Sequence, residues 1–127
     1  MSKQAITSDK LKKLKSDYTQ KKNSILKESY QSTDTLPTFE IFDRDSLEQI
    51  LALEGCVGVR MYYGMDENME VQLVAVGVDE NGKDIQSAFN SLDKTNVNDP
   101  VIAFSSVLKC PPDCEPPIPP PPPPDEP

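Results

Sequence analysis

Cys56-Val-Gly-Val-Arg-Met-Tyr-Tyr63, followed after a seven-residue connection by Val71-Gln-Leu-Val-Ala-Val-Gly-Val78, decides the fold of this chain. The first stretch has period two. Val57, Val59, Met61 and Tyr63 fall on one side of an extended chain, and Cys56, Gly58, Arg60 and Tyr62 on the other. Adjacent Tyr62 and Tyr63 put one ring on each face, so at least one is expected in the core. The second stretch hardly alternates, the pattern of a central strand covered on both faces. Asp79-Glu-Asn-Gly82 then signals a hairpin turn, with Asn-Gly supplying positive φ. A third strand or a short extension is expected near Lys83-Asp-Ile85. The result is an antiparallel meander with helices on one face.

Working outward, Asp45-Ser46-Leu47-Glu48 has the spacing of a capping box with an acidic N-cap. Leu47, Ile50, Leu51 and Leu53 supply the apolar face of that helix, and Gly55 follows as its C′ residue. Phe39-Glu-Ile-Phe42 reads as a short strand or an aromatic staple against the helix. Residues 86–99 are polar and carry little signal. Asp99-Pro100 before residues 101–108 allows a helix with proline at its first position, and the β-branched content equally allows an edge strand. At the other end, residues 8–30 read as one long helix with Ser8 as N-cap and Asp9 in the first turn. Leu11, Leu14, Tyr18, Ile25 and Leu26 form a thin apolar stripe, broken at Lys21 and Lys22. A polar linker, residues 31–35, is closed by Pro37.

The totals agree with one small core and sizeable flanks. The chain has 127 residues and is 36% hydrophobic, low for a globular chain. Eleven of the thirteen prolines lie in residues 111–127. Such a run lacks backbone donors, so a solvated polyproline II rod is expected there. Three units follow: residues 1–35, a basic amphipathic helix and linker; 36–109, a small α+β domain; and 110–127, a Cys-Pro-Pro-Asp-Cys clasp with a disordered polyproline tail. The fold class is α+β, a two- or three-stranded antiparallel sheet packed by a capped helix.

The net charge of −8 hides an asymmetry, because residues 1–30 hold eight lysines against Asp9, Asp17 and Glu28. A basic arm on an acidic body permits an anionic partner, self-packing, or pairing of two copies through residues 8–30. Overall acidity makes nucleic acid a poor partner. Neither a secretory leader nor an apolar run long enough to span a bilayer is evident. A cytoplasmic location and mostly reduced cysteines are therefore expected.

Three stretches, Gly55-Cys-Val-Gly-Val-Arg-Met-Tyr-Tyr63, Val76-Gly-Val-Asp-Glu-Asn-Gly-Lys-Asp-Ile85 and Cys110-Pro-Pro-Asp-Cys114, resemble a set of small uncharacterised bacterial hypothetical proteins. The resemblance spans roughly residues 45–114. It implies one compact unit from the second helix to the cysteine pair and attaches no activity.

Without histidine, the commonest general base and metal ligand is missing, and no Ser-His-Asp or Cys-His arrangement can form. The five glycines are too scattered for a phosphate-binding loop. No enzyme and no cofactor are expected. Cys110 and Cys114 have three readings: packed or inert thiols (favoured), a disulfide latch, or zinc or copper(I) ligation with Asp113 or Cys56. Asp79–Asp84 faintly echoes a calcium loop, but its glycine and acidic residue are out of register, and a hairpin is preferred. Arg60 and Tyr62 allow an anion- or peptide-binding face, against the favoured reading of a cross-strand salt bridge beside an exposed tyrosine. Pro119, Pro120, Pro121, Pro122, Pro123 and Pro124 form a rod that is either a spacer or a ligand for a partner's aromatic groove. The expected function is a non-catalytic binding or adaptor protein. Leu11, Leu14, Tyr18 and Ile25 are the helical contact, and Pro119–Pro124 the second contact, for a protein partner. The alternatives are a metal or thiol-redox module at Cys110 and Cys114, and an anionic-surface binder using the Lys-rich helix.

Overall fold

The computed structural model describes residues 4–31, 33–87, 101–111 and Cys114. Its elements are α1 (Ser8–Lys21), 3-10 turns at Lys22–Ile25 and Glu28–Tyr30, β1 (Phe39–Ile41), α2 (Arg44–Leu51), β2 (Gly58–Met65), β3 (Val71–Val78), β4 (Ala103–Ser105) and β5 (Leu108–Cys110). The strands make two antiparallel sheets, ordered β2-β3-β4 and β1-β5. With the two helices this is an α+β fold.

The β2–β3 hairpin runs without a slip from Gly58↔Val78 to Met65↔Val71. Its turn and the turn after β3 are built alike. Asp66 Oδ1 accepts the amides of Asn68 and Glu70 at 2.9 and 3.0 Å, and its carbonyl accepts the Met69 amide at 3.1 Å. Asp79 Oδ1 accepts the amides of Asn81 and Lys83 at 2.9 and 3.0 Å, and its carbonyl accepts the Gly82 amide at 3.0 Å. Each turn thus hangs on an aspartate that satisfies two orphan amides. The fourth residue is left-handed in both, Met69 at φ 64° and Gly82 at φ 76°. In the second turn positive φ falls on Gly82 alone, not on Asn81 as well.

The expected third strand near Lys83 shrinks to a single bridge, Val78↔Asp84. The same edge of β3 is taken further along by β4, pairing Val74↔Ser105 to Val76↔Ala103. Residues 101–108 therefore contain an edge strand, and the helical alternative falls. The exposed amides and carbonyls of β3 needed partners, and this requirement outweighed a plausible helix cap. The chain then enters β5, whose pairing with β1 runs Phe39↔Cys110, Glu40↔Lys109 and Ile41↔Leu108. Phe39–Ile41 is thus a strand, and Cys110 belongs to the last strand among the described residues.

One cross-strand pair sews this ribbon to the end of β3 that β4 does not reach. Glu40 Oε1 accepts the Leu73 amide at 2.9 Å and the Ser106 hydroxyl at 2.7 Å. Its register partner Lys109 places Nζ 3.5 Å from the Val71 carbonyl, 3.6 Å from Asp66 and 3.7 Å from Glu70. The Thr35 carbonyl takes the Val71 amide at 2.8 Å. No backbone group of that edge has to face apolar surroundings unpaired.

Helix α2 lies on the face of β2 and β3 that carries Val59, Ala75 and Gly77. Ile50 and Ala75 are fully buried, surrounded by Phe42, Leu53, Cys56, Val59 and Phe104. Gly77 is where the helix comes closest. A Cβ there would lie 3.3 Å from Cys56 Sγ and Leu53 Cδ1 and 3.4 Å from Ile50 Cγ2. The N-cap is Asp43, not Asp45. Asp43 has extended backbone and its Oδ1 accepts the Ser46 amide at 3.3 Å. Asp45 instead sits in the first turn and accepts from Gln49 Nε2 at 2.9 Å. The capping-box spacing was real, but an earlier aspartate with the same reach to an N3 amide took the position.

Neither Tyr62 nor Tyr63 is in the core; they are 45% and 84% exposed. Eight residues of α2 cover only the Val59–Gly77 end of the sheet, which leaves the Tyr63 end open. On the opposite face, Arg60 donates to Asp84 at 2.8 Å and to the Gly82 carbonyl at 2.9 Å, and the Tyr62 hydroxyl donates to Asp84 at 2.5 Å. Because Arg60 and Asp84 sit on either side of β3, this pair straps across it over Val76, which is 6% exposed. The favoured salt-bridge reading of Arg60 holds.

The N-terminal helix is shorter than expected and ends at Lys21. Asn23 and Ser24 are poor helix formers, and the Ser24 hydroxyl takes the Lys21 carbonyl at 2.7 Å, the acceptor a continuing helix would offer to Ile25. Its N-cap is Thr7, one residue before Ser8, with Oγ1 accepting the Lys10 amide at 3.2 Å. No residue of α1 is buried.

Candidate functional site

Two residues tie the end of α1 to the body. The Tyr18 hydroxyl donates to the Pro37 carbonyl at 2.7 Å. Lys22 Nζ donates to the Leu36 carbonyl at 3.0 Å and to Thr38 Oγ1 at 3.1 Å, and lies 5.7 Å from the centre of the Tyr18 ring. Beside these anchors lies a groove of about 360 Å³, lined by Tyr18, by residues 36–40 and by Tyr63, Val71 and Leu73 of the sheet.

The groove exists because the α2-facing side of the sheet has two halves. Tyr63 and Leu73 are register partners on the half that α2 does not cover. β1 sets Phe39 and Glu40 beside them. Inside, the surface is apolar and aromatic, with Glu40 already engaged by Leu73 and Ser106. Partial burial pushes the Tyr18 phenol above its ordinary range, and the nearby Glu40 and Tyr63 add to this. The phenol therefore stays a neutral donor at neutral pH. Among the described residues the lining holds neither a thiol nor a lysine. It is suited to binding flat, apolar or proline-bearing groups against its rings.

The sequence-derived contact residues divide. Leu11, Leu14 and Tyr18 lie three and four residues apart on α1, and are 47%, 51% and 38% exposed. They form one stripe that runs down the helix into the groove at Tyr18. Ile25 does not join them. It sits in the 3-10 turn beyond the helix end, 77% exposed. Pro119–Pro124 lie outside the described residues. Sequence reasoning missed Tyr63, Phe39 and Leu73 as groove residues. Their convergence depends on β1 pairing with β5, a partner nearly seventy residues away that no local pattern announces.

Cys110 and Cys114 are joined in a disulfide with Cα atoms 4.5 Å apart, within the usual bridging range. This corrects the expectation of reduced thiols at this pair. In this form neither sulfur is free to ligate a metal. Cys56 packs by the core and donates its thiol to the Gly58 carbonyl at 3.2 Å. Asp113 lies outside the described residues. Among the described residues no helix is long and apolar enough to cross a membrane. No known protein family, curated protein or solved structure matches this chain.

Proposed function

We propose that this chain is a non-catalytic protein-binding module of the adaptor kind, with α1 and the groove beside it as one contact and the proline-rich run as another. The observation that carries this is the stripe of Leu11, Leu14 and Tyr18 leading without a break into an aromatic groove that the fold leaves open. Exposed apolar surface on a small domain costs solubility, and a stripe continuous with a concave pocket is the form that partner recognition takes. The lysines of α1 around the stripe favour a partner with acidic flanks. The test is cross-linking and capture with the full chain, with L11D/L14D and with Y63A. These positions are exposed, so circular dichroism should be unchanged. A partner held by the native chain and lost from both variants supports the reading. A partner held equally by all three chains overturns it.

A second reading rests on the Cys110–Cys114 disulfide. It makes the segment a thiol-redox clasp whose opening frees the end of β5, where Cys110 is 5% exposed. Intact mass after titration with defined thiol–disulfide buffers tests it. A pair that stays oxidised at every buffer ratio a cell maintains would be a structural staple and not a switch.

A further inference from the structure

We propose that the groove is occupied, in the same molecule, by the chain's own proline-rich segment, residues 115–127. The inference rests on the groove being a peptide-binding site, as argued above, and names its resident ligand. Three observations carry it.

The first is placement. Cys110 is the register partner of Phe39, which lines the groove. The Thr38 amide donates to the Cys110 carbonyl at 2.6 Å. The disulfide then holds Cys114 with its Cα 4.5 Å from that of Cys110. Cys114 therefore lies within roughly 10 Å of Phe39, taking a cross-strand Cα spacing of about 5 Å. Thirteen residues follow Cys114 in the sequence. At about 3.1 Å per residue they reach some 40 Å, several times the distance needed.

The second is surface chemistry. Proline-rich segments are read by grooves walled with aromatic rings, because the pyrrolidine faces stack on the rings and the segment has little conformational entropy to lose. Tyr18, Phe39 and Tyr63 supply three such rings, and the Tyr18 phenol adds a polar donor. The run from Pro116 to Pro124 contains eight prolines and Ile118, with no charge.

The third is charge. Acidic residues flank the apolar run, Glu115 before it and Asp125-Glu126 after it. The groove's other neighbour is α1, which exposes Lys10, Lys12, Lys13, Lys15 and Lys21. Lys22 stands at the rim, bonded to residues 36 and 38. An acidic flank lying toward α1 would meet a positive helix, an attraction that weakens with salt.

Self-occupancy makes any outside ligand compete with a tethered one. A tether this short gives an effective concentration on the order of 1 mM. If free segment bound an empty groove with a Kd of about 100 μM, the native chain would weaken that binding about tenfold. The experiment titrates a labelled synthetic peptide of residues 115–127 into two full-length proteins, the native chain and one with all six of Pro119–Pro124 replaced by glycine. The peptide should bind the glycine variant about tenfold tighter than the native chain, and Y63A introduced into the variant should abolish that binding. Equal affinity for the two chains would overturn self-occupancy while leaving a peptide-binding groove. Absence of binding to both chains, with capture through Leu11 and Leu14 intact, would overturn the segment as ligand and leave the binding module standing. Peptide binding that survived Y63A would overturn the groove as the site. A dimer in sedimentation that the glycine variant lacks would show the segment seated in a second copy, and would also overturn the proposal.

Discussion

Met69→Gly should stabilise this protein, and Gly82→Ala should destabilise it by a similar amount. The two positions occupy the same place in two turns of the same design. Each follows Asp-Glu-Asn, each donates its amide to the carbonyl of that aspartate, and each has left-handed backbone, at φ 64° for Met69 and 76° for Gly82. A residue with a Cβ loses about 1–2 kcal/mol in that region, while glycine gives up about 0.5–1 kcal/mol of extra chain entropy on folding. The difference, about 0.5–1 kcal/mol, is the expected gain at Met69. Met69 is 45% exposed, so truncating it also gives up part of its apolar burial and holds the net gain to the low end of that range. At Gly82 the same difference becomes a loss. An added Cβ meets nothing within 4 Å, so no packing change confuses the comparison. For a domain of this size the shifts correspond to about 3–6 °C in Tm. Urea denaturation followed by far-ultraviolet circular dichroism measures them as opposite shifts in midpoint at unchanged slope. If both substitutions moved the midpoint in the same direction, the argument that left-handed backbone governs these turns would fail.

Gly77→Ala is expected to cost about 1–3 kcal/mol, because a methyl group would press on Cys56, Leu53 and Ile50 between α2 and β3; an unchanged urea midpoint would show that α2 moves freely on the sheet. The Asp66 carboxyl is held below its ordinary range, first by the Glu70 amide, then by the Asn68 amide and the Lys109 ammonium. A folded pKa below the unfolded value of about 3.9 contributes stability that is present above that pH and is lost as pH falls through the folded value. Asp66→Asn should therefore be less stable than the native chain at pH 7, and the gap should close as pH falls through the folded value; a gap independent of pH would assign the effect to turn geometry alone. Tyr18→Phe removes the bond to Pro37, worth about 0.5 kcal/mol for a partly exposed hydroxyl. Since the Tyr18 pKa is raised on folding, its contribution is present below about pH 10 and lost as pH rises through the folded value. The variant should thus lose its difference from the native chain in strong alkali, measured as the α1 amide exchange rate. Exchange in α1 identical to native at neutral pH would show that Tyr18 does not dock the helix.

How much of this was legible depends on the range over which each feature is decided. The β2–β3 hairpin, the centrality of Val71–Val78, the Gly82 turn and a capped second helix were visible because alternation, apolar runs and Asp-x-Asn-Gly are local signals. A further local signal, the repeat of Asp-Glu-Asn at 66–68 and 79–81, foretells two identical turns. It is easily passed over because the first copy continues with Met where the second has Gly. Helix ends shifted by one to nine residues because neighbouring residues compete for each cap, and Ser24 won at Lys21 by a hydroxyl contact that propensity does not rank.

By itself the sequence determined the class of the fold, its central strand, the position of its turns and the stripe Leu11–Leu14–Tyr18, since each follows from periodicity or from the conformational limits of single residues. Only the tertiary structure decided that residues 103–105 would be strand and not helix, because an unpaired edge of β3 needed them. It alone decided that Glu40 and Lys109 would pair and together close the rest of that edge. Those two long-range pairings carry Phe39 beside Tyr63 and Tyr18, so the groove belongs to no single stretch of sequence. It arises where a short α2 leaves half a sheet uncovered, and burial of that surface is settled only when the whole chain has folded.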